Sequence, residues 1–406
     1  MSKENMSGDN TIDPNHLTPG FPYRLALEVG LRASTHSWEL GAAIEAYIES
    51  LDDSTPTSIF TPSPFPNSTI PTRDPSTYAP LAHFLAHIPP ITPTLFPSDH
   101  IGVADPCALG VPALLLGQTN PAYLTAARAQ IDHVLTKAPR LPNGAISHRF
   151  DVPEAWADFI YMLPPFSAYA AVAFRDFSLL REAVRQCELY REILVDDEEG
   201  SVTRGCWRHI GPFSSTGSAP TANEDKGFWS TSCGWAGMGM ARVLGVVRAW
   251  RTLSFARPDE AEEMRAAEEK LVTWIRAIID GAMRTDDNLA TNLLRNYLGD
   301  ESYFSEVAGT ALLAACLYRM AVWYPDIFAA ESEYVVWAEK KMEAVARCVE
   351  TETGVAWPMC QSTDHRRRTP LEKDGGEVNP EGQCFVGMLG AAWVAWRKGR
   401  QEESVA

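Results

Sequence analysis

The chain alternates between two kinds of apolar pattern. In the first, hydrophobic residues recur every three or four positions with polar residues between them. Residues 177–195 place Leu180, Ala183, Val184, Cys187, Tyr190 and Leu194 on one stripe, and residues 258–284 do the same with Met264, Leu271, Trp274, Ile275, Ile278 and Ala282. That period predicts an amphipathic helix with one face on a core and the other in water. Segments 21–34, 76–88, 121–137 and 331–350 carry it more weakly. In the second kind the sequence is apolar nearly all round: residues 38–50, 105–117, 155–173, 233–249, 303–322 and 383–397. Small residues crowd these segments, as in Gly234, Ala236, Gly237 and Gly239, or Ala308, Gly309, Ala311, Ala314 and Ala315. A helix that is hydrophobic on every side has to be buried on every side.

Amphipathic and all-round segments alternate from one end of the chain to the other, and no period-two pattern runs longer than a few residues. The arrangement predicts two concentric layers of helical hairpins, an all-α, single-domain (α/α)6 barrel over residues 19–399. Residues 1–18 and 400–406 read as tails. Between Pro56 and Pro97 there are eleven prolines, which cannot continue a helix. This stretch reads as a surface loop around 52–75 followed by one short helix near Tyr78 to Ile88.

Composition narrows the class. With 406 residues, 45% hydrophobic and 21% charged, the chain is globular in make-up. A formal charge of −17 repels phosphate, which argues against general nucleic-acid or anionic-membrane binding. The richest apolar stretch, Val307 to Tyr324, is broken by Arg319 and falls short of a membrane span. The eight cysteines include no CxxC pair and read as free thiols in a reducing compartment. The expectation is a cytoplasmic protein with a small-molecule substrate, no cofactor, no bound metal, no nucleic-acid or membrane partner, and homodimerisation left open.

Polar residues at the heads of buried helices are the natural candidates for chemistry. Trp38, Asp105, Asp158, Trp235, Glu306 and Gln383 open the six buried segments, and parallel inner helices would bring them to one mouth. Helix N-termini there favour an anionic or oxygen-rich ligand. Asp158 lies in an apolar run with Trp156, Phe159 and Met162, where desolvation is expected to raise its pKa toward that of a general acid; a helix cap is the alternative. Asp105 before Pro106 has the form of a cap with proline at the first helical position. His148 and His209 precede buried helices on the same face. His83 and His87, four apart, lack an evident third metal ligand, and Asp286-Asp287-Asn288 reads as a cap for a helix at Leu289.

The order and spacing of several short motifs resemble glycoside hydrolase family 105, the unsaturated rhamnogalacturonyl hydrolases, with family 88 as a more distant relative. They are Trp38-Glu39-Leu40-Gly41, Asp105-Pro106-Cys107-Ala108-Leu109-Gly110, Gly144 to Arg149, and Trp156-Ala157-Asp158 with Met162 and Pro165-Phe166. Further on come Arg208-His209, Trp229 with Gly234-Trp235, Glu306 to Ala311, and Pro380-Glu381-Gly382-Gln383. The resemblance implies an (α/α)6 enzyme that protonates the ring double bond of a 4,5-unsaturated uronic acid, adds water at the neighbouring carbon and releases the glycosidic partner. By the same resemblance Asp158 is the acid/base and Asp105 orients substrate or water. His148, Arg149 and His209 hydrogen-bond the sugar, and Trp38, Trp229 and Trp235 line the binding site.

This chain departs from the family pattern at two places. Thr231 stands between the paired tryptophans where the family carries an Arg for the substrate carboxylate, and Thr cannot replace a charged planar fork. His209-Ile210-Gly211-Pro212 replaces the family's His-Ala-Trp-Asp. One remedy for the missing Arg is a guanidinium from Arg366-Arg367-Arg368, whose alternative is a solvated turn. The other is a changed substrate: a lyase, isomerase or cyclase acting on a non-sugar intermediate, which the apolar Phe228, Trp229, Met238 and Met240 favour. A non-catalytic carbohydrate-binding relic is a third class, set against the persistence of Asp105, His148, Asp158 and His209.

Overall fold

The protein, analysed as a computed structural model, is described over residues 17–50, 58–72, 96–97, 101–211 and 221–405. Eleven α-helices run through these residues: α1 Tyr23–Ala33, α2 Ser37–Ser50, α3 Gly110–Leu116, α4 Pro121–Lys137, α5 Phe159–Phe174, α6 Phe177–Leu194, α7 Ser230–Trp250, α8 Pro258–Arg284, α9 Val307–Trp323, α10 Glu333–Ala346 and α11 Pro380–Val405. Two short strands, β1 Ala155–Trp156 and β2 Ile210–Gly211, pair antiparallel.

The helices form the predicted (α/α)6 barrel. The segment from Asp105 through α3 packs on α2 and on α5, α5 on α7, α7 on α9, α9 on α11, and α11 back on α2, which closes a ring. Outside it, α1 lies on α11, α4 on α3, α6 on α5, α8 on α7 and α10 on α9. Chemistry matches position. Inner helices α5, α7 and α9 bury almost every residue, whereas α6 buries Leu180, Ala183, Cys187, Tyr190 and Leu194 and leaves its charged face outside. Small residues let the inner helices touch: a Cβ on Gly239 would overlap the Ile160 carbonyl of α5, and one on Gly309 would overlap Ser230 of α7.

Helix starts follow ordinary capping. Asn120 accepts from the Ala122 N–H with Pro121 behind it, Asp176 from Ser178, and Glu306 from Gly309. Several local expectations change. Asp105 is not the N-cap residue: it is the first residue of a 3₁₀ turn, Asp105–Leu109, whose N-cap position is Ala104. No helix starts at Leu289; Asp286 instead accepts from the Trp337 indole at 2.8 Å and pairs with Lys341. Residues 400–405 of the C-terminal tail lie in α11. The proline-rich stretch holds a 3₁₀ turn at Pro66–Ser68. The helix expected near Tyr78 to Ile88, with His83 and His87, lies outside the described residues. Among the described residues no helix is long and apolar enough to cross a membrane.

Candidate active site

The segments that enter the inner helices meet at one end of the ring, and short backbone pairings fix their register. Gly102 bridges to Arg149, and the Val103 N–H donates to the His148 carbonyl at 2.7 Å, so Asp105 and His148 are set side by side. Their side chains meet at 3.2 Å, Nε2 to Oδ1. The β1–β2 pair aligns Trp156 with Ile210, and the Ala157 N–H donates to the His209 carbonyl at 3.0 Å, which brings Asp158 beside His209. Ile210 in turn bridges to Asp225, delivering a second carboxylate to the other edge of the same imidazole.

The result is a chain of ionisable groups. His209 Nε2 lies 3.4 Å from Asp158 Oδ2, and its Nδ1 lies 3.1 Å from Asp225 Oδ2. The Ser232 hydroxyl donates to Asp158 at 3.0 Å, and the Tyr297 hydroxyl donates to Asp225 at 2.5 Å. Burial opposes charge on His209, but the attraction and hydrogen bonds of Asp158 and Asp225 raise its pKa above the ordinary value. Burial alone would likewise raise the Asp158 carboxyl. His209, His148 and the Ser232 hydroxyl outweigh it and hold Asp158 below the usual carboxylate range. This overturns the expectation of a raised Asp158: its carboxylate form is favoured, and the same contact favours the protonated form of His209.

These shifts set a pH window. The raised His209 contributes stability that is complete below its unfolded pKa, about 6.5, and is lost as pH rises through its folded pKa. The depressed Asp158 contributes stability present above about 3.9 and lost as pH falls through its folded pKa. In His209→Asn, burial becomes the dominant influence on Asp158. The acid limb of the kcat/KM profile should move to higher pH, and the alkaline loss of thermal stability should shrink; an unmoved acid limb would disprove the coupling.

Around this chain lies a pocket of about 200 Å³. Trp38, Asp105, His148, Arg149, Asp158, His209, Trp229 and Trp235 all line it. Thr231 does not: it is fully buried in the first turn of α7 with its hydroxyl unpartnered. Phe228, Met238 and Met240 are also absent from the lining, to which Met162 contributes. Two of the six expected helix heads turn elsewhere, since Glu306 caps α9 and Gln383 is spent on the Ala356 backbone.

The lining also holds Trp156, Ser362, Thr363, His365 and Glu381, which the reading of helix heads passed over. Trp156 donates to Glu154 at 2.8 Å and stacks on His148 at 5.0 Å. Asn296 accepts from the Trp229 indole and donates to the His365 carbonyl, both at 2.8 Å, tying these two walls together. The loop with three arginines thus reaches the pocket through His365 and not through its guanidinium groups. Arg366 donates to the Asn223 and Glu224 carbonyls at 2.9 and 2.8 Å, Arg367 lies 3.8 Å from Asp364, and Arg368 lies 3.3 Å from Asp300 over the Tyr303 ring. None of the three lines the pocket.

His209, Asp225 and His365 offer ligand atoms within 4.8 Å of one another. Asp225 is already engaged by Tyr297 and His209, and Arg366 Nε stands 3.7 Å from it. A cation there would compete with the Tyr297 and His209 contacts of Asp225 and face the Arg366 guanidinium, so the donor set fits a metal poorly.

A closed ring of helical hairpins with buried ionisable groups at one mouth is a six-hairpin (α/α)6 toroid. The family model of Glycosyl Hydrolase Family 88 matches residues 106–363, well over half of the chain, and the chain belongs to that family. Among solved structures it is similar to a possible member of glycoside hydrolase family 105 from Salmonella enterica serovar Paratyphi A, with a TM-score of 0.65 at 16% identity over 97% of this chain and 99% of that one. A family 105 glycoside hydrolase from C. acetobutylicum gives 0.60 at 15% identity over 92% and 99%. An inactive variant of an alpha-1,6-mannanase from Salegentibacter sp., in complex with alpha-1,6-mannotetrose, gives 0.55 at 12% identity over 92% and 98%. Among curated proteins no sequence matches.

Proposed function

We propose that this protein is a hydrolase that adds water across the electron-rich double bond of an unsaturated sugar residue and thereby releases the group attached to that sugar. The observation that carries the reading is the Asp158–His209–Asp225 chain, with Asp105–His148 beside it, on one pocket. The Asp158–His209 pair holds one transferable proton beside a carboxylate. That proton passes through Asp158 to one alkene carbon, and water bonds to the other, which bears the ring oxygen. The water's proton returns to the Asp158 carboxylate, and His209 keeps the pair's charge balanced. The hemiketal opens, and the hemiacetal it leaves at the glycosidic carbon expels the partner as an alcohol. Asp105, aligned by His148, orients the water or a ring hydroxyl. Trp38, Trp156, Trp229 and Trp235 form apolar walls against which a ring packs.

Turnover in D₂O tests this chemistry. Hydration places one carbon-bound deuterium on the former alkene carbon, whereas ordinary attack at the glycosidic carbon places none. A released product free of carbon-bound deuterium sinks the reading. A second reading, a lyase, isomerase or cyclase of a non-sugar alkene on the same barrel, is supported by the four tryptophans of the lining. It expects no turnover of any unsaturated sugar.

A further inference from the structure

Glu381 opens α11 and lines the pocket, yet it is 2% exposed, and its Oε1 has no hydrogen-bond partner. A buried polar atom left unpaired at a pocket wall is costly unless something binds there. The groups around it are of one sign. Glu39 reaches it from α2, Asp158 from the head of α5 and Glu306 from the head of α9, and Trp38 contributes a hydrogen bond. Arg149, the guanidinium of the lining, is held in a two-point fork by Asp151 at 2.9 and 2.9 Å. His209 is shared between Asp158 and Asp225, Thr231 is buried away from the pocket, and Arg366 to Arg368 stand outside it.

We propose that Glu381 is the specificity-determining residue of this pocket: its carboxyl group donates a hydrogen bond to an uncharged oxygen of the bound ring, and the site takes a substrate that carries no carboxylate at that position. The inference rests on the alkene-hydrating reading above and narrows its substrate to an unsaturated ring bearing a hydroxyl, ether or carbonyl where a uronate bears its acid. Burial first, and then the charges of Glu39, Asp158 and Glu306, raise the Glu381 pKa well above the ordinary carboxylate value. A raised pKa favours the protonated form, which can donate a hydrogen bond. A ligand carboxylate at this wall would meet the acidic side chains of Glu39, Asp158 and Glu306, with Arg149 of the lining already held by Asp151, and their repulsion disfavours it. A neutral oxygen instead satisfies the unpaired group, and a site built to hydrogen-bond discriminates strongly against ligands that cannot reciprocate.

The test uses the full chain and two synthetic disaccharides that share a 4,5-unsaturated ring, one with a carboxylate on C5 and one with a hydroxymethyl group. Release of the partner sugar is the readout. The expected result is a kcat/KM at least tenfold higher for the hydroxymethyl substrate. Glu381→Leu should lower it tenfold or more, and Glu381→Gln, which keeps an N–H donor, should lower it threefold or less. Equal or faster turnover of the carboxylate substrate overturns the proposal. Asp158→Asn in the same assay then shows whether the hydration reading survives, because it abolishes that turnover only if the chemistry was right. A Glu381→Leu protein within threefold of wild type also overturns the proposal. If neither substrate is turned over, the proposal falls together with the sugar reading.

Discussion

Asp158→Asn should fold normally and turn over substrate more slowly by roughly 10² to 10⁴, the usual contribution of a positioned acid/base group. The substitution keeps shape and keeps an oxygen to accept from the Ser232 hydroxyl at 3.0 Å, so packing has little reason to change. What disappears is the proton-accepting carboxylate and the charge that faces the His209 ring. His209 then retains only Asp225 at 3.1 Å as an acidic partner, and its pKa should fall toward the ordinary value. Partner release under saturating substrate measures the first effect, and circular dichroism with a thermal melt checks the second. A folded Asp158→Asn protein with near-wild-type kcat would move the acid/base role to another group of the pocket.

The parts of this site that were legible in the sequence are those tied to helix heads. A hydrophobic run that tolerates one carboxylate, as Trp156 to Met162 does around Asp158, marks a polar group with a reason to be buried. The all-round apolar helices likewise announce a ring, because such a surface has no other way to avoid water. What escaped was set by distance in space. Asp158 was expected to be raised by burial alone, but His209 and Ser232 reach it from 51 and 74 positions along the chain and reverse the sign. Asp225, the far end of the proton chain, lies in a loop with no hydrophobic period to locate it. Glu381 stood inside a motif already singled out, two positions before the glutamine taken as the head of its helix; that helix starts at Pro380, and the turn difference decides which side chain meets the pocket. Three arginines in an acidic chain looked available, yet their acids, Asp225, Asp300 and Asp364, were invisible as partners until the chain closed.

Glu49→Ala should lower folding stability by about 3–5 kcal/mol, the cost of leaving a buried charge without its partner. Glu49 lies at the inner end of α2 with its side chain 1% exposed, and it receives two guanidinium groups: Arg242 of α7 and, at 3.0 Å, Arg319 of α9. Arg242 also holds Glu45 at 2.8 Å and donates to the Tyr161 hydroxyl at 2.9 Å. Burial pushes the Glu45 carboxyl up to about 7, against the pull of Arg242, so Glu45 is only partly charged at neutral pH. Glu49 therefore carries much of the neutralisation of two arginines, and removing it leaves Arg319 without this carboxylate. Domain stabilities run to roughly 5–15 kcal/mol, which makes this a large fraction of the whole. The same knot supports the pocket, since the Tyr161 ring packs edge-on against Trp235 at 4.3 Å. Urea denaturation should give the stability loss, and kinetics under native conditions should show a raised KM as the Trp235 wall loosens. A Glu49→Ala protein that unfolds at the wild-type urea midpoint would mean that the arginines find other partners, and that the ring is held by its close-packed glycines and alanines without help from this ionic knot.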